Sequence, residues 1–203
     1  MKSTLSVIQS WISESNSKVT VIPRINREND CQTLLGITEY SALGVLINQV
    51  GGISIANNLI RHFGGENKYG LSIRAINEVE NRRPTKYPPC LIVADDLYGG
   101  LFGINISLKG ASAGEMLYLP PDRMIWETMA IGHAEFVQWS MGTTMELFYS
   151  TYKSKYGTQS CNFNETASFL PPMWIECVNR SMQKMSSMAS IDEKILMVGY
   201  LYE

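Results

Sequence analysis

Long apolar runs are missing from this chain of 203 residues. No stretch approaches the ~20 consecutive apolar residues that a membrane-spanning helix needs, so no membrane segment is expected. The amino-terminal "MKSTLSVIQSWISES" has a lysine but no continuous apolar stretch behind it, and does not read as a signal peptide. An excess of one charge is missing too: 17 Lys and Arg face 19 Asp and Glu, a net charge of -2. The densest basic spot, Arg82-Arg83 with Lys86, is too short to follow a nucleic-acid backbone, which argues against nucleic-acid binding. Histidine is scarce, with only His62 and His133. The four cysteines (Cys31, Cys90, Cys161 and Cys177) are far apart and form no CxxC pair, the pattern of reduced, mostly buried thiols in a cytoplasmic protein. HExxH, the phosphate-loop pattern and GxGxxG are all absent, which disfavours the common zinc-hydrolase and nucleotide-binding classes. No metal or cofactor is expected.

What is present is an ordinary globular balance, with 45% apolar and 18% charged residues and enough length for one sizeable core. "TLSVIQSWISES" sets Leu5, Ile8 and Ile12 on one helical face with Trp11 beside them. "KVTVIP" is extended, and "NRENDCQTLLGI" reads as a second helix with Asn26 as a possible N-cap and Gly36 near its end. From residue 41 "ALGVLINQVGGISIANNLIRHFGG" reads as strands and turns punctuated by glycine pairs. "LSIRAINEVENRR" gives one or two helical turns. "CLIVA" and "GLFGINI" form a central antiparallel hairpin, and "EMLYLPPDRMIWETM" repeats the format. After Gly132, "HAEFVQWSM" and "TTMELFYSTYKSKYG" are helical, with a break at Gly142-Thr143. "SFLPPMWIEC" is extended, "NRSMQKMSSMAS" is a polar tail, and "IDEKILMVGYLYE" is a last helix capped by Ser190, with Glu193 at capping-box spacing.

Strands segregated from helices point to α+β, an antiparallel sheet packed against N- and C-terminal helices that cover one face. The expected organisation is one domain over 1–203, with a helical segment at 1–40, the sheet at 41–130, and helices and tail at 131–203. The continuously apolar "CLIVA" predicts middle strands buried on both sides.

The most distinctive stretch is "CLIVADDLYGGLFGIN", residues 90–105, with adjacent carboxylates at Asp95 and Asp96. Neighbours on a strand point to opposite faces, so both line one site only if the chain turns there. The following Gly99-Gly100 favours that turn, and aspartates stabilise turns by bonding nearby backbone N–H groups. His133, at a helix start, reads as a packing residue rather than an acid or base. No catalytic residue is assigned. Most aromatics are expected in the core, but Tyr98 and Trp126, which flank turns, could form an exposed patch that anchors a partner.

Four blocks, "ALGVLINQVGGISIANNLIRHFGG", "CLIVADDLYGGLFGIN", "GEMLYLPPDRMIWETMAIGHAEFVQW" and "FLPPMWIE", resemble in order and spacing the bacterial family known as domain of unknown function 2625. The resemblance spans roughly residues 35–177. The hairpin, the "Y.P" turn and the closing aromatic helix also look like the SUKH superfamily of α+β domains, many of them immunity proteins that neutralise bacterial toxins. That resemblance implies a cytoplasmic, non-enzymatic protein-binding module whose partner would be a protein such as a toxin. Its candidate contacts are Asp95, Asp96, Tyr98, Asp122, Trp126 and Glu127, at the turns of the sheet edge. The alternative is a small-ligand-binding protein or an uncharacterised enzyme with a pocket around Asp95, Asp96 and His133. Homo-oligomerisation through the sheet edge or the C-terminal helix is a third expectation.

Overall fold

The computed structural model describes residues 3–25, 36–77 and 89–202. The expected helix over "NRENDCQTLLGI", with its cap at Asn26, falls largely outside them, as does Cys31.

The chain begins with α1 (Thr4–Glu14), where the Ser3 hydroxyl accepts from the Ser6 amide and Ile8 is the buried residue of the apolar face. β1 (Val19–Ile22) follows, so the segment expected to be helical also supplies an edge strand. Residues 42–49 then depart from expectation. They form α2 (Ala42–Gln49), capped by the Ser41 hydroxyl, and not a strand. "ALGVLINQ" is apolar almost all round because the helix is buried on nearly every side, which erases the polar face that usually betrays a helix.

The glycine-rich stretch beyond it does form strands: β2 (Gly52–Ile55) and β3 (Ile60–Phe63). After the short α3 (Ile73–Asn77) come β4 (Cys90–Asp96), β5 (Leu101–Asn105), β6 (Glu115–Leu119) and β7 (Glu127–Gly132). The two expected hairpins are therefore borne out. All seven strands form one antiparallel sheet in sequential order, β1 to β7. Asn77 closes a gap in it: its carboxamide donates to the carbonyl of Ile92 and accepts from the Ile92 amide, next to a register shift in β4.

The helices α4 (His133–Ser140), α5 (Thr143–Phe148) and α6 (Ser150–Tyr156) follow, broken at Gly142 as expected. β8 (Glu165–Leu170) then pairs with β9 (Ser181–Ser186), a polar strand where the sequence suggested only a tail. The final helix α7 (Ser187–Tyr202) starts one turn before the expected cap, so Ser190 lies inside it and is buried.

Helices cover both faces of the sheet, not one. Because strand neighbours alternate, Asp95 and Asp96 point opposite ways. Asp95 meets Ser187 at the start of α7, whereas Asp96 meets Tyr149 between α5 and α6. This double cover makes β4 buried along nearly its whole length. The architecture is α+β, with helices at both ends of the chain. No helix among the described residues is long and apolar enough to cross a membrane.

Candidate functional site

The Asp-Asp stretch sits where β4 turns into β5, and the structure gives its two carboxylates different roles. Asp96 is the turn former. Its Oδ1 accepts from the amides of Tyr98 (2.9 Å) and Gly100 (2.7 Å). Its Oδ2 accepts from the hydroxyls of Tyr118 (2.9 Å) and Tyr149 (3.0 Å). Four donors fill the roughly four acceptor positions of a carboxylate, which leaves none for a substrate or metal. Gly99, at φ 87°, takes the left-handed conformation that closes the turn. At Gly100 a Cβ would collide with the Asp96 carboxylate and the Tyr118 ring, so the second glycine is required by close approach.

Asp95 makes a bidentate ion pair with Arg61, its register partner on β3: Nε to Oδ1 at 2.8 Å and Nη2 to Oδ2 at 2.6 Å. Arg61 also donates to the Asp96 carbonyl (3.2 Å) and to the carbonyl of Glu165, tying β8 to the sheet. Both side chains are essentially out of solvent, 0% and 2% exposed. Burial pushes the Asp95 carboxyl up to about 6 even though the guanidinium pulls the other way. Lys194 of α7 completes the cluster beside Gly99. Burial lowers its ammonium to about 8, against the pull of Asp96, Asp122, Glu193 and Asp95. Arg61 and Lys194 can thus balance Asp95 and Asp96, two cations against two anions, which is how a core tolerates charge. The Tyr118 and Tyr149 hydroxyls are raised well above their ordinary value, by burial first and then by Asp96, so they remain donors.

The histidines lie elsewhere. His62, on β3, is fully buried against Phe136, with Nε2 2.8 Å from the Ser140 hydroxyl. That hydroxyl already donates to the Val137 carbonyl, so Nε2 carries the proton in the neutral ring. Burial holds the imidazole at about 3, with the charge of His133 adding to it. His133 is lowered to about 4 by burial. A depressed histidine leaves the unfolded chain binding the proton more tightly than the folded one between those values and 6.5. Stability therefore rises with pH across that window. Asp95, raised in the folded state, acts in the opposite sense between its ordinary value of 3.8 and about 6. Urea unfolding between pH 4 and 7 should show His62→Leu flattening the rise by up to about 1.4 kcal/mol per pH unit. An unchanged slope would mean that His62 is not the buried neutral base described here.

Of the six residues expected to contact a partner, four are inside. Asp95 and Asp96 are in the cluster, Tyr98 donates to the Gly157 carbonyl (2.7 Å), and Trp126 is packed in the core. The expected exposed Tyr98–Trp126 patch is absent because both rings cover core. Asp122 and Glu127 do reach the surface, where Asp122 accepts from Tyr152 (2.7 Å) and Glu127 pairs with Arg123 (2.6 Å). Among the described residues, Asp95, Asp96 and His133 line neither of the two depressions described here, and Asp95 and Asp96 point to opposite faces of the sheet. Sequence reasoning missed Arg61, Tyr118, Tyr149 and Lys194. Only Arg61 carried a signal, an arginine inside the apolar strand "LIRHF".

The larger of the two depressions is an open cleft of about 810 Å³ beside the β2–β3 turn, with Leu59 and Leu97 in its lining. Asn16, Thr20, Asn57, Asn58, Ser160 and Asn162 line it with neutral polar groups, Lys18, Lys153 and Glu146 supply charge, and Tyr69 and Phe163 form an aromatic wall. Ala56, Asn57 and Asn58 all have positive φ (50°, 57° and 68°). This uncommon conformation is fixed by the Ser54 hydroxyl, which accepts from the Asn58 amide, and by the Asn58 carboxamide, which donates to the Cys161 carbonyl. Burial raises the Cys161 thiol, which keeps it from acting as a thiolate nucleophile. Cys161 is a buried free thiol and Cys177 an exposed one, and Cys90 is buried. Among the described residues, no three His, Cys, Asp or Glu gather as metal ligands would.

Sheet, double helical cover and balanced charge cluster together define an α+β protein organised around its Asp-Asp turn. The chain belongs to the family described as Protein of unknown function DUF2625, whose model matches residues 1–193. It is 24% identical over 192 residues to the uncharacterized protein YbfG of Escherichia coli (strain K12), covering 92% of this chain and 88% of that one. It is also 27% identical over 146 residues to an uncharacterized protein of Haemophilus influenzae (strain ATCC 51907 / DSM 11121 / KW20 / Rd), covering 70% and 64%.

Proposed function

We propose that this protein is a non-enzymatic binding module that receives a polar segment of a protein partner in the open cleft. One observation carries the reading: the open cleft of about 810 Å³ is rich in hydrogen-bonding groups and held by a fixed, left-handed loop. Backbone held in a sparsely populated conformation is a recurrent property of recognition loops. A dense set of carboxamides and hydroxyls suits a peptide backbone or polar loop better than an apolar small molecule. Toxin neutralisation by an immunity-type protein is the most specific form of this reading, supported by the likeness of the hairpin and closing helix to that superfamily.

The test fills the cleft from its exposed rim. Bait protein carrying Thr158→Arg and Ser160→Trp should lose, by at least about tenfold, the partner that the natural protein captures from its host. Asp122→Ala with Glu127→Ala should retain it. The opposite pattern would move recognition to the rim of the sheet and sink the cleft reading. Displacement of the same partner by a small polar metabolite would instead make the cleft a small-ligand site.

A further inference from the structure

We propose that Lys194 is a nucleophilic amine that forms a Schiff base with a small aldehyde entering the cavity between α7, the β4–β5 turn and the β8–β9 ribbon. The site is separate from the cleft and does not depend on the binding reading.

Three observations carry it. Lys194 is 5% exposed, yet its Nζ has no hydrogen-bond partner among the described residues. A buried amine without a partner is costly, and such groups recur where chemistry is done. Next, Lys194 lines a cavity of about 40 Å³ together with Tyr98, Trp174, Ser190 and Glu193. That space admits a guest of a few heavy atoms and excludes a larger one. Lastly, the backbone of Gly99 in the β4–β5 turn lies beside the amine: a Cβ there would stand 3.5 Å from Nζ.

The surrounding charge suits the product. Asp95 and Asp96 from β4, Asp122 from the β6–β7 turn and Glu193 from α7 itself all act on Lys194, and Arg61 of β3 neutralises Asp95. An iminium ion keeps the positive charge that these carboxylates balance, whereas an acylated lysine would abolish it. An amine held near 8 also has roughly a three-hundredfold larger neutral fraction at neutral pH than an ordinary lysine. In the reaction the Nζ lone pair adds to the carbonyl carbon and one Nζ proton passes to the carbonyl oxygen. The carbinolamine hydroxyl then takes a second proton from solvent and leaves as water while the nitrogen lone pair closes the double bond, leaving C=N–H⁺. Glu193, at the exposed end of the cavity, is placed to relay the protons.

The folded protein is incubated at pH 7.5 with acetaldehyde and cyanoborohydride, which reduces the imine to N-ethyl-lysine, and the sites are mapped by peptide mass spectrometry. Lys194 should be ethylated at least about fivefold faster than the exposed Lys109. Benzaldehyde, too large for the cavity, should reverse that order. Glu193→Gln should slow Lys194 labelling several-fold with Lys109 unchanged, and Lys194→Met should remove the fast site. Labelling of Lys194 no faster than Lys109 by acetaldehyde, or equal labelling by both aldehydes, overturns the proposal.

Discussion

Asp95→Ala should destabilise the protein by about 3–5 kcal/mol, because it strands the Arg61 guanidinium in a fully buried site. Arg61→Ala should cost a similar amount, leaving Asp95 buried and unpaired beside Asp96. The paired replacement Arg61→Met with Asp95→Leu is the informative one. It removes both charges and refills the volume, so it should recover most of the loss, to within about 1–2 kcal/mol of the natural protein. Equilibrium urea denaturation of the four proteins gives the coupling directly. If Asp95→Ala costs less than about 1 kcal/mol, the pair is solvated and the buried geometry described here does not hold in solution. The replaced pair should also leave partner capture through the cleft intact, since neither residue lines it.

Asp96→Ala is expected to be as severe by a different route. It leaves two tyrosine hydroxyls and two turn amides without their acceptor, at about 1–3 kcal/mol for each group that finds no substitute. Relaxation of the turn will recover some of them, so a net loss of about 3–5 kcal/mol is expected, a large part of the stability of an ordinary domain. Tyr149→Phe and Tyr118→Phe separate the contributions. Each removes one donor and keeps the ring, and each should cost about 1.5–3 kcal/mol, the range for hydrogen bonds to charged groups. Thermal unfolding that ranks either Phe variant below Asp96→Ala would show that the aspartate is not the hub of the network. These outcomes matter for function as well: an Asp96 variant that loses partner capture would do so by unfolding, so capture must be read at matched folded fraction.

Much of the sheet was legible because its strands announce themselves in pairs. "CLIVA" and "GLFGIN" flank a glycine turn, and "EMLYL" and "ETMAIG" flank Pro-Pro-Asp, so local chemistry alone fixes both hairpins. Helix α2 was not legible, since periodicity needs a polar face and residues 42–47 are all buried. Strand β9 was hidden for the converse reason. "SMQKMS" has little apolar content and owes its extended form to pairing with β8, a contact between segments more than ten residues apart. The site divides along the same line. Asp96 as a turn former follows from the adjacent glycines. The fate of Asp95 depended on Arg61, 34 positions earlier, and on the carboxy-terminal helix. Adjacent acids before a Gly-Gly read as a rim because local sequence carries no sign of what folds over them. The aromatics were misplaced by that same blindness, since Tyr98 turns inward only because Tyr149 and Tyr152 are there to stack on it.

The sequential order of the seven strands has a kinetic consequence. Each strand pairs with the one made just before it, and β2–β3 and the run from β4 to β7 are joined by short turns, so most of the sheet can assemble hairpin by hairpin as the chain emerges. The elements that seal Arg61 and Asp95 come last: the Glu165 carbonyl and α7 lie about 70 and more residues beyond the β4–β5 turn. A nascent chain therefore carries an ion pair still open to water until synthesis is nearly complete, and desolvation of that pair belongs to the final step of folding. Substitutions in α7 should then act mainly on the unfolding rate and leave formation of the sheet almost untouched.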